Sequence, residues 1–79
     1  MPLRLENRGS RRYYLVWAQY DLFGAVVVRV WGGIGTARGG SKTDAYPSPE
    51  AAARGLDQIA RRLVARGYEP IAQENSRDE

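Results

Sequence analysis

The residues best suited to chemistry lie around Trp31, which ends a valine-rich run and precedes a glycine-rich segment. An indole ring offers a flat surface to a sugar or a base, but it also packs well in a core, which is the commoner role of a tryptophan. Residues 32–40 contain five glycines, whose backbone can approach a ligand closely or can turn the chain tightly between strands. Both alternatives stay open for Trp31 and for the glycine-rich segment.

The glycine-rich segment matches neither of two common phosphate-binding motifs. A P-loop requires Lys and then Ser or Thr after its last glycine, whereas the last glycine here is followed by Ser41 and then Lys42. A dinucleotide fingerprint that starts at Gly33 and Gly35 needs its third glycine at the position of Arg38. We therefore predict no nucleotide cofactor.

Side chains for catalysis are scarce. The chain has no Cys and no His, which excludes thiolate nucleophiles, imidazole bases and Cys/His zinc sites. Four carboxylates that general acid–base chemistry would need are scattered between predicted turns, strand and helix: Asp21, Asp44, Glu50 and Asp57. We predict that the chain is not an enzyme and that it binds neither a metal nor a cofactor.

Charge favours an anionic partner. The net charge is +3, and without residues 73–79 the chain has eleven basic and six acidic residues, a net charge of +5. Ten of those eleven are Arg, whose guanidinium pairs with phosphate and stacks on bases. Nucleic acid is the first candidate partner, although a basic, solvated helix face is also a common structural feature.

The cysteine-free composition also bears on location. Secreted domains of about this size usually contain several disulfides, so a chain of 79 residues without Cys fits a reducing, cytoplasmic setting. No apolar run approaches the roughly 20 residues that span a bilayer, and the first residues are polar. We expect a cytoplasmic monomer that is neither exported nor bound to a membrane.

Alternating residues predict the strands that hold Trp31 in place. Residues 12–20 form one strand, D-L-F-G at residues 21–24 forms a hairpin turn, and residues 25–31 form the second strand. The alternation predicts that Val26, Val28 and Val30 face the core. A third strand over residues 41–46 pairs beside the second, and Leu3 and Leu5 indicate a short strand at an edge of the sheet.

A helix follows Pro47. Ser48 is suited to the cap position and Pro49 to the first helical position, and Gly67 is suited to end the helix. Its predicted apolar stripe contains Ala52, Leu56, Ile59, Ala60, Leu63 and Val64. The expected fold is α+β, a small twisted antiparallel sheet of about four strands packed by one C-terminal helix. Residues 1–72 form one domain, residues 68–71 return along the sheet, and residues 73–79 form a disordered polar tail.

The ordered motifs of this chain resemble the WGR domain, a family named for a Trp-Gly-Arg tripeptide. The resemblance covers about residues 12–68 and lies in D-L-F-G at 21–24, W-G-G-I-G-T at 31–36, S-P-E-A-A at 48–52 and G-Y at 67–68. It implies a twisted antiparallel sheet packed by one helix. The family occurs in poly(ADP-ribose) polymerases, where it helps to recognise DNA breaks, and in small or fused bacterial proteins.

The resemblance implies a non-catalytic nucleic-acid-binding module, most simply for DNA strand ends or breaks. Trp31 would lie against the sugar of a terminal nucleotide, and nearby cations and backbone groups would hold phosphates. The nucleic-acid-binding residues are then Trp31, Arg29, Gly32, Gly35, Arg38 and Lys42. Gly33 stands where the family has its Arg, so Arg29 or Arg38 would have to compensate. That replacement favours the alternative, a protein–protein interaction module that keeps the scaffold without DNA binding.

Overall fold

Five antiparallel strands form one sheet in the computed structural model, which describes residues 2–22 and 24–71. The strands are β1 (Leu3–Asn7), β2 (Arg12–Asp21), β3 (Gly24–Gly33), β4 (Gly39–Tyr46) and β5 (Glu69–Ile71), in the order β4-β3-β2-β1-β5. Helix α1 (Pro49–Ala65) packs on one face of the sheet. The α+β class and the helix-on-sheet packing are confirmed, while the predicted tail, residues 73–79, lies outside the described residues.

The position of β1 differs from the prediction. We expected it at an edge, but it lies between β2 and β5, with Arg4 opposite Ile71 on β5. The short return strand makes this possible, because the chain turns back to the sheet directly after the helix. The sheet therefore has five strands rather than about four.

The hairpin between β2 and β3 sets the register of the sheet. Asp21 pairs with Gly24 across the turn, as the D-L-F-G motif predicts. Counting back from that turn places Tyr14 opposite Trp31 and Arg12 opposite Gly33. Residues that face each other in this way share one side of the sheet, so the far end of the hairpin brings aromatic and basic side chains together.

The core lies between the sheet and α1, and it uses the other face of β3 from the one we predicted. Ala25 and Val27 are buried, whereas Val26, Val28 and Val30 are half-buried on the face opposite the helix. Alternation shows which residues share a face but not which face the helix covers. The described core consists of Leu5, Val16, Ala25, Val27, Ala52, Ile59, Leu63 and Tyr68.

Local signals at both ends of α1 are confirmed. The Ser48 hydroxyl accepts a hydrogen bond from the Ala51 amide at 3.1 Å, and Pro49 is the first helical residue. Gly67 adopts a φ of 97°, in the left-handed region that follows many helices. Val64 is 50% exposed, contrary to the predicted stripe, because it lies about 100° around the helix from buried Leu63. Within the described residues no helix combines the length and apolar content that crossing a membrane requires.

Gly55 is a buried helix residue that contacts Tyr46, and the sequence pattern did not predict this contact. A Cβ atom at this position would overlap the Tyr46 ring, which packs directly against the helix backbone. We expect Gly55→Ala to lower the free energy of unfolding by about 1–2 kcal/mol, because overpacking outweighs the better helix propensity of alanine. Urea unfolding measures this effect. In a Tyr46→Ala background the same change should be neutral or stabilising, and an equal loss in both backgrounds would contradict the assigned contact.

Candidate nucleic-acid interface

A cavity of about 470 Å³ opens where β2 begins, β3 ends and β4 begins. Its wall combines aromatic rings, arginines and glycine backbone, since the hairpin register brings these residue types to one end of the sheet. The lining residues are Ser10, Arg11, Arg12, Tyr13, Tyr14, Trp31, Gly32, Gly33, Ile34, Thr36, Arg38, Gly39 and Tyr68.

A row of three aromatic rings positions Trp31. Tyr68 is buried and meets the Tyr14 ring edge-on, with centroids 5.3 Å apart. Tyr14 in turn contacts Trp31 at 5.8 Å with an interplanar angle of 35°. Trp31 is half-buried rather than sealed in the core, and no described group accepts a hydrogen bond from its indole N–H. The row holds one side of the ring and leaves part of it accessible.

Two glycines of β4 give the indole ring its place against the sheet. Gly40 pairs with Trp31, and a Cβ atom there would stand 3.0 Å from Cζ2 of the indole, so the ring lies over a strand that has no side chain. A Cβ atom on Gly39 would overlap the carbonyl oxygen of Trp31. The glycine-rich segment therefore lets two strands and a large ring approach closely. This role is structural, whereas the other predicted role of the segment is contact with a ligand.

The turn between β3 and β4 is tight and closed by hydrogen bonds. The Thr36 amide donates to the Gly33 carbonyl at 3.1 Å, and the Gly33 amide donates to the Arg38 carbonyl at 3.3 Å. The Ile34 amide donates to the carbonyl of Arg11 at 2.8 Å, which ties this turn to the one before β2. Both turns are thus fixed relative to each other at the mouth of the cavity.

The cavity is strongly basic. Arg11, Arg12 and Arg38 line it, and none of the described lining residues is acidic. All three arginines are exposed, so their charge acts from the rim of the cavity. Such an arrangement attracts anions and offers forked hydrogen-bond donors to phosphate oxygens.

The predicted site residues divide into two groups. Trp31, Gly32 and Arg38 line the cavity, whereas the exposed Gly35 lies in the adjoining turn, with a φ of 78°. Arg29 and Lys42 face each other on neighbouring strands outside the cavity lining, beside a shared acidic partner. The Asp44 carboxylate accepts from Arg29 at 3.0 Å and lies 4.0 Å from the Lys42 ammonium.

Sequence reasoning missed several contributors to the cavity wall, among them Arg11, Arg12, Tyr14 and Tyr68. Two of them could have been found from the D-L-F-G turn, because counting back from the pair at 21 and 24 sets Tyr14 opposite Trp31 and Arg12 opposite Gly33. Arg12 therefore lies across from position 33, where this chain has Gly instead of Arg. No local sequence signal predicts that Tyr68, which follows the helix, lines the cavity.

The cavity wall combines guanidinium groups, backbone N–H groups and the hydroxyl groups of Ser10, Tyr13 and Thr36 with aromatic rings. Such a wall can hold a planar ring or a sugar beside an anion. Throughout residues 2–22 and 24–71, no three acidic side chains come close enough to hold a metal ion. The cavity therefore has the chemical character of a site for a phosphate-bearing molecule with a flat component.

Comparison with known families agrees with this geometry. The WGR domain family model matches residues 2–75, which is nearly the whole chain. Comparisons with curated proteins and with solved structures gave no match. The family match confirms the resemblance carried by the D-L-F-G turn, the tryptophan motif and the capped helix. The chain belongs to the WGR domain family.

Proposed function

We propose that this WGR domain is a non-catalytic nucleic-acid-binding module whose ligand is DNA at strand ends or breaks. The observation that carries the proposal is the cavity in which an accessible Trp31 ring stands among Arg11, Arg12 and Arg38. A base or a sugar stacks on an indole face, and phosphates on either side of it need cations at short range. The family match supports the same class of function.

Each element of the cavity has a role in this proposal. The Trp31 ring lies against the sugar or base of a terminal nucleotide, and the Gly32 and Gly35 backbone leaves room for the sugar–phosphate chain to come close. Arg38 contacts a phosphate at the cavity, and Lys42, which is 59% exposed, reaches one farther along the sheet. Strand ends fit such a cavity better than continuous duplex, because a terminal nucleotide exposes a base face that stacking covers inside the duplex.

Arg12 supplies the guanidinium that position 33 lacks. It lies directly opposite Gly33 in the register and lines the same cavity. A side chain at position 33 would also meet resistance, because a Cβ atom there would stand 2.8 Å from the Thr36 hydroxyl. That hydroxyl holds the turn through its 3.2 Å hydrogen bond to the Gly33 carbonyl. The guanidinium group at this end of the cavity therefore belongs to Arg12 on β2 rather than to a residue of β3.

A titration of short duplexes at several salt concentrations tests the proposal. If about three phosphates are neutralised, the logarithm of the association constant should fall with the logarithm of salt concentration at a slope near −2.7. A duplex with 5′-phosphorylated ends should bind more tightly than a closed circle of the same sequence. No detectable binding even at low salt would defeat the proposal, and equal binding of linear and closed DNA would remove the preference for ends.

Replacing Arg11, which precedes β2, and Arg12, its first residue, should reduce this salt dependence. We expect Arg11→Gln with Arg12→Gln to make the slope shallower by about 1.8 and to weaken binding at low salt, because two phosphate contacts disappear. The matched control is Arg54→Gln with Arg61→Gln, which removes the same charge from exposed positions on α1. An equal change in both double variants would indicate a general charge effect instead of contacts in the cavity.

A second candidate function, a protein-interaction module, is favoured by the sheet face opposite α1. Leu15 lies opposite Val30 and Trp17 opposite Val28 on that face, and no described element covers these apolar side chains. Affinity capture with and without nuclease separates the two functions. A partner that survives nuclease treatment and is lost with Val30→Lys supports protein binding, whereas material released by nuclease supports the nucleic-acid module.

A further inference from the structure

A second, smaller cavity lies between the last turns of α1 and the sheet. Its volume is about 100 Å³, which leaves room for a small polyatomic ion rather than for a nucleotide. Three arginines dominate its wall, and none of the described lining residues is acidic. The lining residues are Tyr14, Arg29, Ile59, Arg62, Leu63 and Arg66.

Arg29 has an unsatisfied donor in this region. Its Nη2 donates to the Asp44 carboxylate at 3.0 Å, but its Nε is buried and has no hydrogen-bond partner among the described residues. A buried charged donor without an acceptor is costly, and in folded proteins such a group usually meets a water molecule or an ion. Arg29 lines the cavity, so an acceptor bound there lies beside its guanidinium group.

The other two arginines favour an anion over a neutral acceptor. Arg62 and Arg66 are four residues apart, so they lie on the same side of the helix, and neither forms an ion pair within the described part of the chain. Arg61 differs, because the Asp57 carboxylate lies 2.9 Å from its Nε. Two unpaired cations beside a third repel one another, and an anion between them removes that repulsion.

We propose that this cavity, named here the Arg29 pocket, binds one phosphate group. The tetrahedral oxygens of phosphate can accept from the guanidinium groups of Arg29, Arg62 and Arg66 at the same time, which a carboxylate or a chloride ion does less completely. The site does not involve Trp31, so it stands apart from the proposed stacking cavity.

Two sources can deliver that phosphate, free phosphate or the backbone of a bound nucleic acid. Tyr14 lines both cavities. Arg29 and Trp31 are two residues apart on one face of β3, a separation of about 7 Å, so a strand stacked at Trp31 can bring a neighbouring phosphate to the Arg29 pocket. The backbone source rests on the proposed function, whereas phosphate binding itself does not.

Titration with inorganic phosphate tests the site directly. The probe is the NMR signal of the Arg29 Nε–Hε group, with sodium chloride at matched ionic strength as the reference. We expect a saturable shift of this signal with phosphate and none with chloride. A shift that is absent, or that is the same for both salts, would overturn the proposal and indicate that the pocket holds water.

Paired variants show whether the pocket is responsible. Arg62→Gln with Arg66→Gln should weaken phosphate binding at least tenfold, while the Arg54→Gln, Arg61→Gln control on the same helix should change it less than twofold. Both double variants lose two positive charges, so a general electrostatic effect changes them equally and would count against the pocket. Arg29 itself stays in place in both variants, which preserves its ion pair with Asp44.

Duplex titrations with the same variants identify the source. If the backbone phosphate is the ligand, Arg62→Gln with Arg66→Gln should make the salt slope of DNA binding shallower by about 0.9, which corresponds to one contact. If the double variant leaves the salt slope of DNA binding unchanged, although the wild-type chain binds inorganic phosphate, free phosphate is the ligand. Should Trp31→Ala bind DNA like the wild-type chain, the proposed function fails but the phosphate titration still decides the pocket.

Discussion

Trp31→Ala is expected to weaken binding of a short 5′-phosphorylated duplex by about 1–3 kcal/mol, or roughly 5- to 150-fold in Kd. The ring is half-buried, and Tyr14 supports it at 5.8 Å. Removing it therefore takes away the stacking surface while the rest of the wall remains. Fluorescence anisotropy of a labelled duplex measures the change. Thermal unfolding shows whether the variant is folded under the assay conditions.

Trp17→Ala is the matched control for this experiment. Trp17 lies on the same sheet but on the face away from α1 and outside the cavity lining, and its indole N–H donates to the Gln19 side chain at 2.8 Å. We expect this variant to bind the duplex as the wild-type chain does. If both tryptophan variants lose binding equally, the cavity is not the contact surface. If Trp31→Ala is unfolded, Trp31→Phe keeps a ring in place and measures the contribution of its surface.

Gly39→Ala is expected to be strongly destabilising, lowering the free energy of unfolding by about 2–4 kcal/mol. The added Cβ atom would overlap the Trp31 carbonyl oxygen, which belongs to the paired strand and cannot move without opening the β3–β4 ladder. A loss of this size is a large fraction of the stability of a small domain. Urea unfolding of the variant and the wild-type chain measures it.

Gly9→Ala is the control for that substitution. Its nearest neighbour would be the Asn7 side-chain oxygen at 3.4 Å, an ordinary contact, so we expect a change within about 0.5 kcal/mol. A Gly39→Ala variant as stable as Gly9→Ala would contradict the close approach of the two strands. Folded Gly39→Ala should also lose duplex binding, because spreading the strands moves the support of the indole ring.

The parts of the fold that follow from the sequence are those encoded by neighbouring residues. Ser48 and Pro49 start the helix, Gly67 follows its end, and the D-L-F-G turn joins two strands, each as expected. Every one of these signals depends on local backbone geometry, so no knowledge of distant packing was needed.

The features that could not be predicted depend on contacts between distant segments. Alternation predicts Val26, Val28 and Val30 on the core face, yet the helix covers the face that carries Ala25 and Val27. Gly55 became a core position only because Tyr46 packs against it. Similarly, β1 is internal because β5 adds to the sheet from the other end of the chain.

The candidate site shows the same division. Trp31, Gly32 and Arg38 are close in sequence and meet in the cavity, whereas Arg12 and Tyr14 reach it through the hairpin register. Arg29 and Lys42 are also near Trp31 in sequence, but their strand positions direct them toward Asp44. Sequence proximity therefore groups the predicted residues that meet in the cavity, whereas the hairpin register adds Arg12 and Tyr14 to its wall.

The pairing of β1 with β5 joins two segments that are far apart in the sequence, as the Arg4–Ile71 pair shows. A hairpin and the helix can form early from nearby residues, but this pairing closes a long loop and so comes at a higher entropic cost. The larger cavity contains Arg11, which follows β1, and Tyr68, which precedes β5. A partially folded chain consequently lacks the complete cavity, and any molecule that occupies it favours the closed state by mass action.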